Sequence, residues 1–291
     1  MLRLVLPKGS LEQATLQLFE DADLPVSRGS DVDYRAVIDD PRIDDVRILR
    51  PQEIPRYVAD GTFDVGITGR DWIEETGAEV TTLTELHYSK ATARPIRVVL
   101  AVAADAPASG VSELPRGVRV HTEYPELTRR FLEKHGVDAD ISLSYGATEA
   151  KVPEIADAVV EITETGRALR AAGLKILDTI LVSYTELVAN PAAHADAGKR
   201  KAMEQVQTLL SGALEARGRV LVKLNVDEAR LDAVIALLPA LKSPTVAKLF
   251  GADAYAVETV VAKSEINTLI PALKEHGATD LIELPISKIV H

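Results

Sequence analysis

At 291 residues, with 46% apolar and 26% charged side chains, the chain has an ordinary globular composition, long enough for two or three packing units. A net charge of −11 without any dense Lys/Arg run excludes a nucleic-acid face. The absence of cysteine excludes disulfides, thiolate metal sites and thiol nucleophiles.

Strand-like and helix-like runs alternate through the first two thirds, the pattern of an α/β architecture. Residues 2–6 predict a strand, and 11–22 a helix with Leu11, Ala14, Leu18 and Ala22 on one face. A buried strand at 63–67 precedes a helix opening at 71–75. The basic, irregular stretch 90–97 predicts a crossing between two lobes, followed by an apolar strand at 98–103. A strand at 118–121 leads to a helix with Pro125 in its first turn, where the missing N–H costs nothing, and Gly136 as its stop. A strand at 155–162, a short helix at 166–172 and a strand at 176–184 then lead back. This suits two lobes around a cleft, residues 1–97 with 183–217 forming lobe I and 98–182 forming lobe II. Met203, Val206, Leu209, Leu210, Ala213 and Leu214 repeat at helical spacing, so 190–218 predicts one long connecting helix. Beyond Gly218 come a strand at 220–226, a helix at 227–238, a hairpin at 246–262, a helix at 265–276 and a strand at 280–284. That βαββαβ order is ferredoxin-like and marks a separate domain, 218–291. No apolar stretch reaches the ~18–20 residues of a membrane span or forms a signal-peptide core, so a cytoplasmic chain is expected.

Three strand-end stretches carry the candidate chemistry. In Asp157-Ala-Val-Val-Glu161-Ile-Thr163-Glu164-Thr165-Gly166-Arg167-Ala168-Leu169, two carboxylates precede a Thr-x-Thr-Gly turn that opens a helix. Unpaired N–H groups at such a turn, backed by the helix dipole, suit a phosphate, and an upstream carboxylate suits ribose hydroxyls. An ordinary capped helix would read the same way, since Thr is a good N-cap. In Asp64-Val65-Gly66-Ile67-Thr68-Gly69-Arg70-Asp71, Gly66 inside an apolar strand implies close approach of a backbone or ligand, while Thr68 and Asp71 have capping-box spacing. In Pro7-Lys8-Gly9-Ser10, Lys8 and Gly9 can meet an anion, and Ser10 with Gln13 can cap the next helix. Ligands of α/β sheets sit beyond the carboxyl ends of strands, which favours a site at all three. No Walker A loop, G-x-G-x-x-G or G-x-S-x-G is present. The six histidines lack zinc-binding spacing.

Together these stretches resemble one family. The Pro7–Ser10 stretch, Arg50-Pro-Gln-Glu-Ile-Pro-Arg-Tyr-Val58 and the 64–71 stretch are similar to the first lobe of ATP phosphoribosyltransferases. Thr122-Glu-Tyr-Pro-Glu-Leu-Thr128, Gly146-Ala-Thr-Glu149 and the 157–169 loop resemble its second lobe. Leu237-Leu-Pro239, Ser243-Pro-Thr245 and Gly277-Ala278 resemble the regulatory domain of the long form, so the likeness spans the chain in order.

The resemblance implies a catalytic body like a type II periplasmic binding protein plus an ACT-like, ferredoxin-like regulatory domain. It implies Mg²⁺-dependent attack of ATP N1 on C1 of 5-phosphoribosyl 1-diphosphate, the opening step of histidine biosynthesis, with no protein nucleophile. The donor would be held by Asp157 and Glu161 on the ribose and by Thr163, Glu164, Thr165, Gly166, Arg167, Ala168 and Leu169 on the 5-phosphate. ATP and diphosphate would meet Lys8, Gly9, Arg50, Gly66, Thr68, Gly69, Asp71 and Glu149, with Mg²⁺ mainly on the diphosphate. Inhibitory L-histidine would meet Asn225, Leu241, Ser243, Pro244, Thr245 and Asp280. Homo-oligomers, dimers building hexamers, are implied, with no nucleic-acid or membrane partner. The family usually carries Asp where this chain has Glu161 and Thr where it has Ala168. A non-catalytic two-lobed ligand sensor is the alternative.

Overall fold

The computed structural model describes residues 1–30, 33–88, 95–239 and 243–291. These divide into two units, Met1–Glu20 with Leu24–Gln207, and Asp21–Asp23 with Thr208–His291.

In chain order the first unit opens with β1 (Leu2–Pro7), α1 (Glu12–Asp21), β2 (Val26–Ser27), β3 (Arg35–Ile38), β4 (Ile43–Leu49) and α2 (Ile54–Ala59). There follow β5 (Val65–Gly69), α3 (Arg70–Thr76) and β6 (Thr81–Leu86). The chain then crosses into β7 (Ile96–Ala103), β8 (Val118–Thr122), α4 (Pro125–Lys134), β9 (Ala139–Leu143), β10 (Ala158–Thr163), α5 (Arg167–Ala171) and β11 (Leu174–Ser183). It returns through β12 (Thr185–Ala189), α6 (Pro191–Ala195) and α7 (Ala197–Ala216).

Lobe I is a seven-stranded sheet of order β2-β3-β4-β1-β5-β12-β6, and lobe II a five-stranded sheet of order β11-β7-β10-β8-β9. The continuous apolar run of β7 places Val98, Leu100 and Val102 in one core layer and Val99 and Ala101 in another, so lobe II is packed on both faces. The parallel strands β4, β1 and β5 present their carboxyl ends together, as do β9, β8 and β10 in lobe II.

The stretch at 190–218 is two helices rather than one. Asn190 caps α6, its Oδ1 accepting from Ala193 N at 2.9 Å, and Pro191 occupies the first helical turn. The chain turns at Asp196 before α7, whose Met203 and Val206 pack with Leu2, Leu4 and Leu187 of lobe I. The strand foreseen at 155–162 starts only at Ala158, because Ile155 and Ala156 both donate their N–H to Lys151 O in a turn.

In the second unit, β13 (Arg219–Asp227), α8 (Leu231–Ile235), β14 (Thr245–Lys248), β15 (Ala254–Ala262), α9 (Ile266–Glu275) and β16 (Thr279–Pro285) follow. Their antiparallel sheet has the order β14-β15-β13-β16, the ferredoxin-like arrangement. Val220, Val222, Leu224 and Val226 alternate inward onto Val234, Ile266, Leu269 and Leu273 of the two helices. The helix foreseen at 227–238 is mostly not α-helical. A 3-10 turn at Glu228–Arg230 precedes the five residues of α8, and further i→i−3 bonds tighten Leu237 and Leu238 before Pro239. No described helix is long and apolar enough to cross a membrane.

Candidate functional site

The loops that leave the carboxyl ends of the parallel strands meet between the lobes. Two adjoining cavities form there. The smaller, of about 330 Å³, is lined by Ser10, Gln52, Gly69, Asp71, Trp72, Glu123, Tyr124, Thr163 and Glu164, with Leu86, Tyr88 and Ile96 on its apolar side. The larger, of about 600 Å³, is lined by Arg50, Gln52, Glu53, Arg56, Trp72, Glu75, Glu123, Ser144 and Tyr145. Gln52, Trp72 and Glu123 belong to both walls.

Behind that shared wall the lobes are joined by hydrogen bonds. Asp71, only 2% exposed, accepts from Ser183 Oγ at 2.7 Å and from Tyr124 OH at 2.8 Å. Burial pushes the Asp71 carboxyl above its usual range against the pull of those two hydroxyls. The Tyr124 phenol is raised well above its ordinary value, first by burial and then by the Asp71 charge. Trp72 lies against Tyr124 with ring centroids 4.5 Å apart. Glu75 of α3 accepts from the Glu126 and Leu127 N–H groups at 3.0 and 2.8 Å, capping the start of α4 in the other lobe.

The phosphate-type turn follows β10. Gly166 adopts φ +73° as the first cap of α5, and its N–H donates to Thr163 Oγ1 at 2.7 Å. Arg170 steadies the turn from below, donating to Thr165 O at 3.0 Å. Because α5 has only five residues, local N–H groups rather than a long helix dipole make this turn receptive to an anion. Ala168 lacks a hydroxyl, and it can contribute only backbone there.

Glu161, on β10, has its carboxyl raised by burial first and then by the charges of Glu123 and Glu149. Glu123 is likewise raised by burial. The Gly146–Glu149 segment reaches Glu161 through hydroxyls. Thr148 bonds Glu161, Thr148 Oγ1 lies 2.8 Å from Ser144 Oγ, and Lys151 Nζ donates to Ser144 Oγ at 2.6 Å.

Several residues named from the sequence stand elsewhere. Asp157 precedes β10 at its amino end, where Arg119 N, Nε and NH2 donate to it at 2.9, 3.1 and 2.7 Å and hold its pKa down. That is the wrong end of the strand for the phosphate turn. Gly66 is a packing position, since a Cβ there would meet Val58, Ile54 and Val5 side-chain carbons at 2.8–2.9 Å. Thr68 is buried behind the cleft and donates to Pro51 O at 3.0 Å instead of capping α3. Lys8 Nζ sits 4.2 Å over the Tyr34 ring, and Gly9 N donates to Glu12 Oε2, so Glu12 takes the capping role foreseen for Gln13. Ser10, Arg50, Gly69 and Asp71 do line the cavities.

The comparison with known proteins gives the family. The family profile described as ATP phosphoribosyltransferase covers residues 50–212, more than half of the chain. A protein of Desulforudis audaxviator named ATP phosphoribosyltransferase is 47% identical over 291 residues, covering 99% of each chain. The chain belongs to the ATP phosphoribosyltransferase family.

A second profile, described as HisG, C-terminal domain, covers residues 216–288, so this is a long-form ATP phosphoribosyltransferase, a pentosyltransferase. The relative from Pelotomaculum thermopropionicum carries the same name at 46% identity over 289 residues, covering 99% of each chain. A chain from the solved ATP phosphoribosyl transferase (HisG:HisZ) complex of Thermotoga maritima superposes with a TM-score of 0.63 at 28% identity. It spans 74% of this chain and 99% of its own. The cavity-lining residues to which the sequence reading gave no role are Gln52, Arg56, Trp72, Glu123, Tyr124, Ser144 and Tyr145, four of them within the quoted stretches 50–58 and 122–128. Each follows a strand or opens a helix, and only folding brings them together.

In the C-terminal unit, Asn225 Nδ2 donates to Asp280 Oδ2 at 2.9 Å. Asp280 takes a left-handed φ of +50° that turns its side chain back over β13. Thr245 pairs with Glu258 on the other side of β15, about 10 Å across the sheet from β13. Ser243 and Pro244 precede Thr245, and Leu241 lies outside the described residues.

Proposed function

We propose that this chain joins ATP N1 to C1 of 5-phosphoribosyl 1-diphosphate, that Mg²⁺ assists, and that L-histidine inhibits through the C-terminal domain. The observation that carries the reading is the pair of adjoining cavities at the meeting point of both lobes' strand ends. The smaller contains the Thr163 and Glu164 edge of the phosphate turn and suits the donor. The larger offers Arg50 and Arg56 for a triphosphate, with Trp72 and the exposed Tyr145 for a base. N1 and C1 then meet at the shared wall.

The nucleophile is a ring nitrogen of the substrate, so the N1–C1 bond forms as the C1–O bond to diphosphate breaks, without a protein nucleophile. The protein holds the two reactants in line and stabilises charge. Glu161, with Glu123 near it, accepts from the ribose hydroxyls and faces the positive charge that develops at C1. The 163–169 turn fixes the 5-phosphate, and the arginines fix the triphosphate. Asp71 holds Tyr124 and Ser183, and so sets the spacing of the lobes.

Among the described residues no group of three or more His, Asp or Glu side chains could hold a metal alone. The Glu123 and Glu161 carboxylates nevertheless provide hard oxygen donors beside the cleft, a set that fits Mg²⁺ arriving on diphosphate with most of its water. When bound, the ion would neutralise the departing diphosphate.

For histidine, the reading is supported by the Asn225–Asp280 pair and the Ser243–Thr245 edge, polar groups on an otherwise regular sheet. Dimers assembling to hexamers are part of the proposal, and light scattering tests them. The activity itself is tested by incubating ATP, 5-phosphoribosyl 1-diphosphate and Mg²⁺ with the protein and looking for phosphoribosyl-ATP by mass spectrometry. Absence of that product defeats the reading.

A further inference from the structure

The helix α4 starts without a cap of its own. Its preceding residue, Tyr124, makes no side-chain capping bond. A helix leaves its first N–H groups without intrahelical partners, and Pro125 removes one of them. The next two, on Glu126 and Leu127, are the donors that a capping side chain ordinarily takes. Here both go to one carboxylate of the other lobe. Glu126 N donates to Glu75 Oε1 at 3.0 Å, and Leu127 N donates to Glu75 Oε2 at 2.8 Å.

The helix that carries Glu75, α3, packs into both lobes. Ile73 lies against the lobe I cluster of Val5, Ile54 and Val58, while Trp72 lies against the lobe II cluster that holds Val98, Val120 and Leu127. Asp71 and Glu75 stand four residues apart and so share one face of the helix. Asp71 takes the Tyr124 hydroxyl, and Glu75 takes the N–H groups just beyond it. One contact alone would let the lobes turn about it, whereas two on successive turns of α3 resist that rotation. Burial raises the Glu75 carboxyl above its ordinary range although both N–H groups pull it down.

In the reaction proposed above, on which this inference rests, the two substrates are held by different lobes. Glu161 and the 163–169 turn, offered to the phosphoribosyl donor, lie in lobe II. Arg50 and Arg56, offered to the triphosphate, lie in lobe I. N1 therefore meets C1 only at one spacing of the lobes, and a misplacement of about 1 Å can cost roughly a hundredfold in rate.

We propose that Glu75 is a positioning residue of the transfer: its carboxylate caps α4 across the lobe boundary and so fixes donor and acceptor at reacting distance. It acts through α4 and through the Glu123–Tyr124 turn before that helix, which lines the smaller cavity. Because Glu75 itself borders the larger cavity, the test separates this role from direct contact with ATP.

Full-length wild type, Glu75→Ala, Glu75→Gln and Glu75→Asp are compared in kcat and in KM for each substrate. Glu75→Ala should lose roughly tenfold or more in kcat while each KM stays within about threefold. Length and charge are separable. Glu75→Gln keeps the length and an acceptor oxygen, and it should keep more of kcat than Glu75→Asp, which keeps the charge but is one methylene short. A role confined to steadying the helix dipole gives the opposite order, because it needs the charge. Trp72, the single tryptophan of the chain, reports on the contact between the lobes. Without ligands, its emission in Glu75→Ala should shift to the red and be quenched more readily by acrylamide, with the far-ultraviolet circular dichroism as in wild type.

A kcat in Glu75→Ala within roughly twofold of wild type overturns the assignment. So does an unchanged Trp72 emission, or a Glu75→Asp that outperforms Glu75→Gln. A rise in KM for ATP at constant kcat would make Glu75 a substrate contact and overturn it too. If Glu75→Ala does not fold, the other two variants decide, and equal kcat values in both reject the proposal. A wild type that forms no phosphoribosyl-ATP overturns the reaction instead, while the Trp72 comparison still tests the contact between the lobes, so the two failures are distinguishable.

Discussion

Glu161 and Asp157 stand in one short motif, and the fold treats them in opposite ways. Burial and the neighbouring Glu123 and Glu149 raise Glu161 above its ordinary value near 4.5. The protonated form therefore favours folding. That contribution is complete below the ordinary value and is lost as pH rises through the raised one. We predict that Glu161→Gln at pH 8 keeps or raises the thermal midpoint while the KM for the phosphoribosyl donor rises roughly tenfold. The wild-type KM for the donor should fall as pH climbs through the raised Glu161 value, and the variant's should not. Asp157 has the reverse shift, its carboxyl held low by Arg119. Its stabilising effect is present above the ordinary value near 3.8 and fades as pH falls through the lowered one. Asp157→Ala is expected to leave both substrate KM values within twofold at neutral pH, and initial rates check this. The motif made the two carboxylates look alike, yet four residues of strand separate them by about 13 Å. One ribose cannot span that distance to reach both.

At the scale of elements, the turns beyond β1, β4, β5, β8, β9 and β10 supply the cleft, and the helices that follow brace them. The Thr163–Gly166 turn was legible because Thr, Gly and a following helix announce a local geometry. Gly66 was misread because glycine in a strand signals close approach without saying of what. Here the approaching element is α2, through Ile54 and Val58. Gly66→Ala should lower unfolding stability by about 1–3 kcal/mol through overpacking, with little change in KM, and urea midpoints with initial rates would measure both. The connecting segment misled for a related reason. Its apolar spacing is helical on both sides of Asp196, and the break comes from Asn190 and Pro191 starting a separate short helix. β12 left no clear signal of its own, although it fills the slot between β5 and the edge strand β6 of lobe I.

For the whole molecule, the C-terminal unit is where regulation is proposed. Asp280→Ala removes the acceptor of Asn225 and should raise the half-maximal inhibitory concentration of histidine at least fivefold. Titrating histidine against the full-length protein and the variant at fixed substrate concentrations checks this, and an unchanged inhibition curve would remove Asp280 from the histidine site.

Periodicity and turn chemistry determined much on their own: the alternating α/β body, the helix spacing after Asn190, the βαββαβ order beyond Gly218 and the strand-turn-helix geometry at 163–169. These are local properties, set within a few residues along the chain. The residues at the wall between the cavities are not local. Gln52 follows β4, Trp72 lies in α3 and Glu123 follows β8; Gln52 and Glu123 stand in stretches that carry the family resemblance, yet local spacing gives none of the three a place in the cleft. Their meeting depends on two mixed sheets whose parallel strands present their carboxyl ends to one cleft, a consequence of strand order. The tertiary structure likewise separated Asp157 from Glu161, because direction along a strand decides which end faces a ligand.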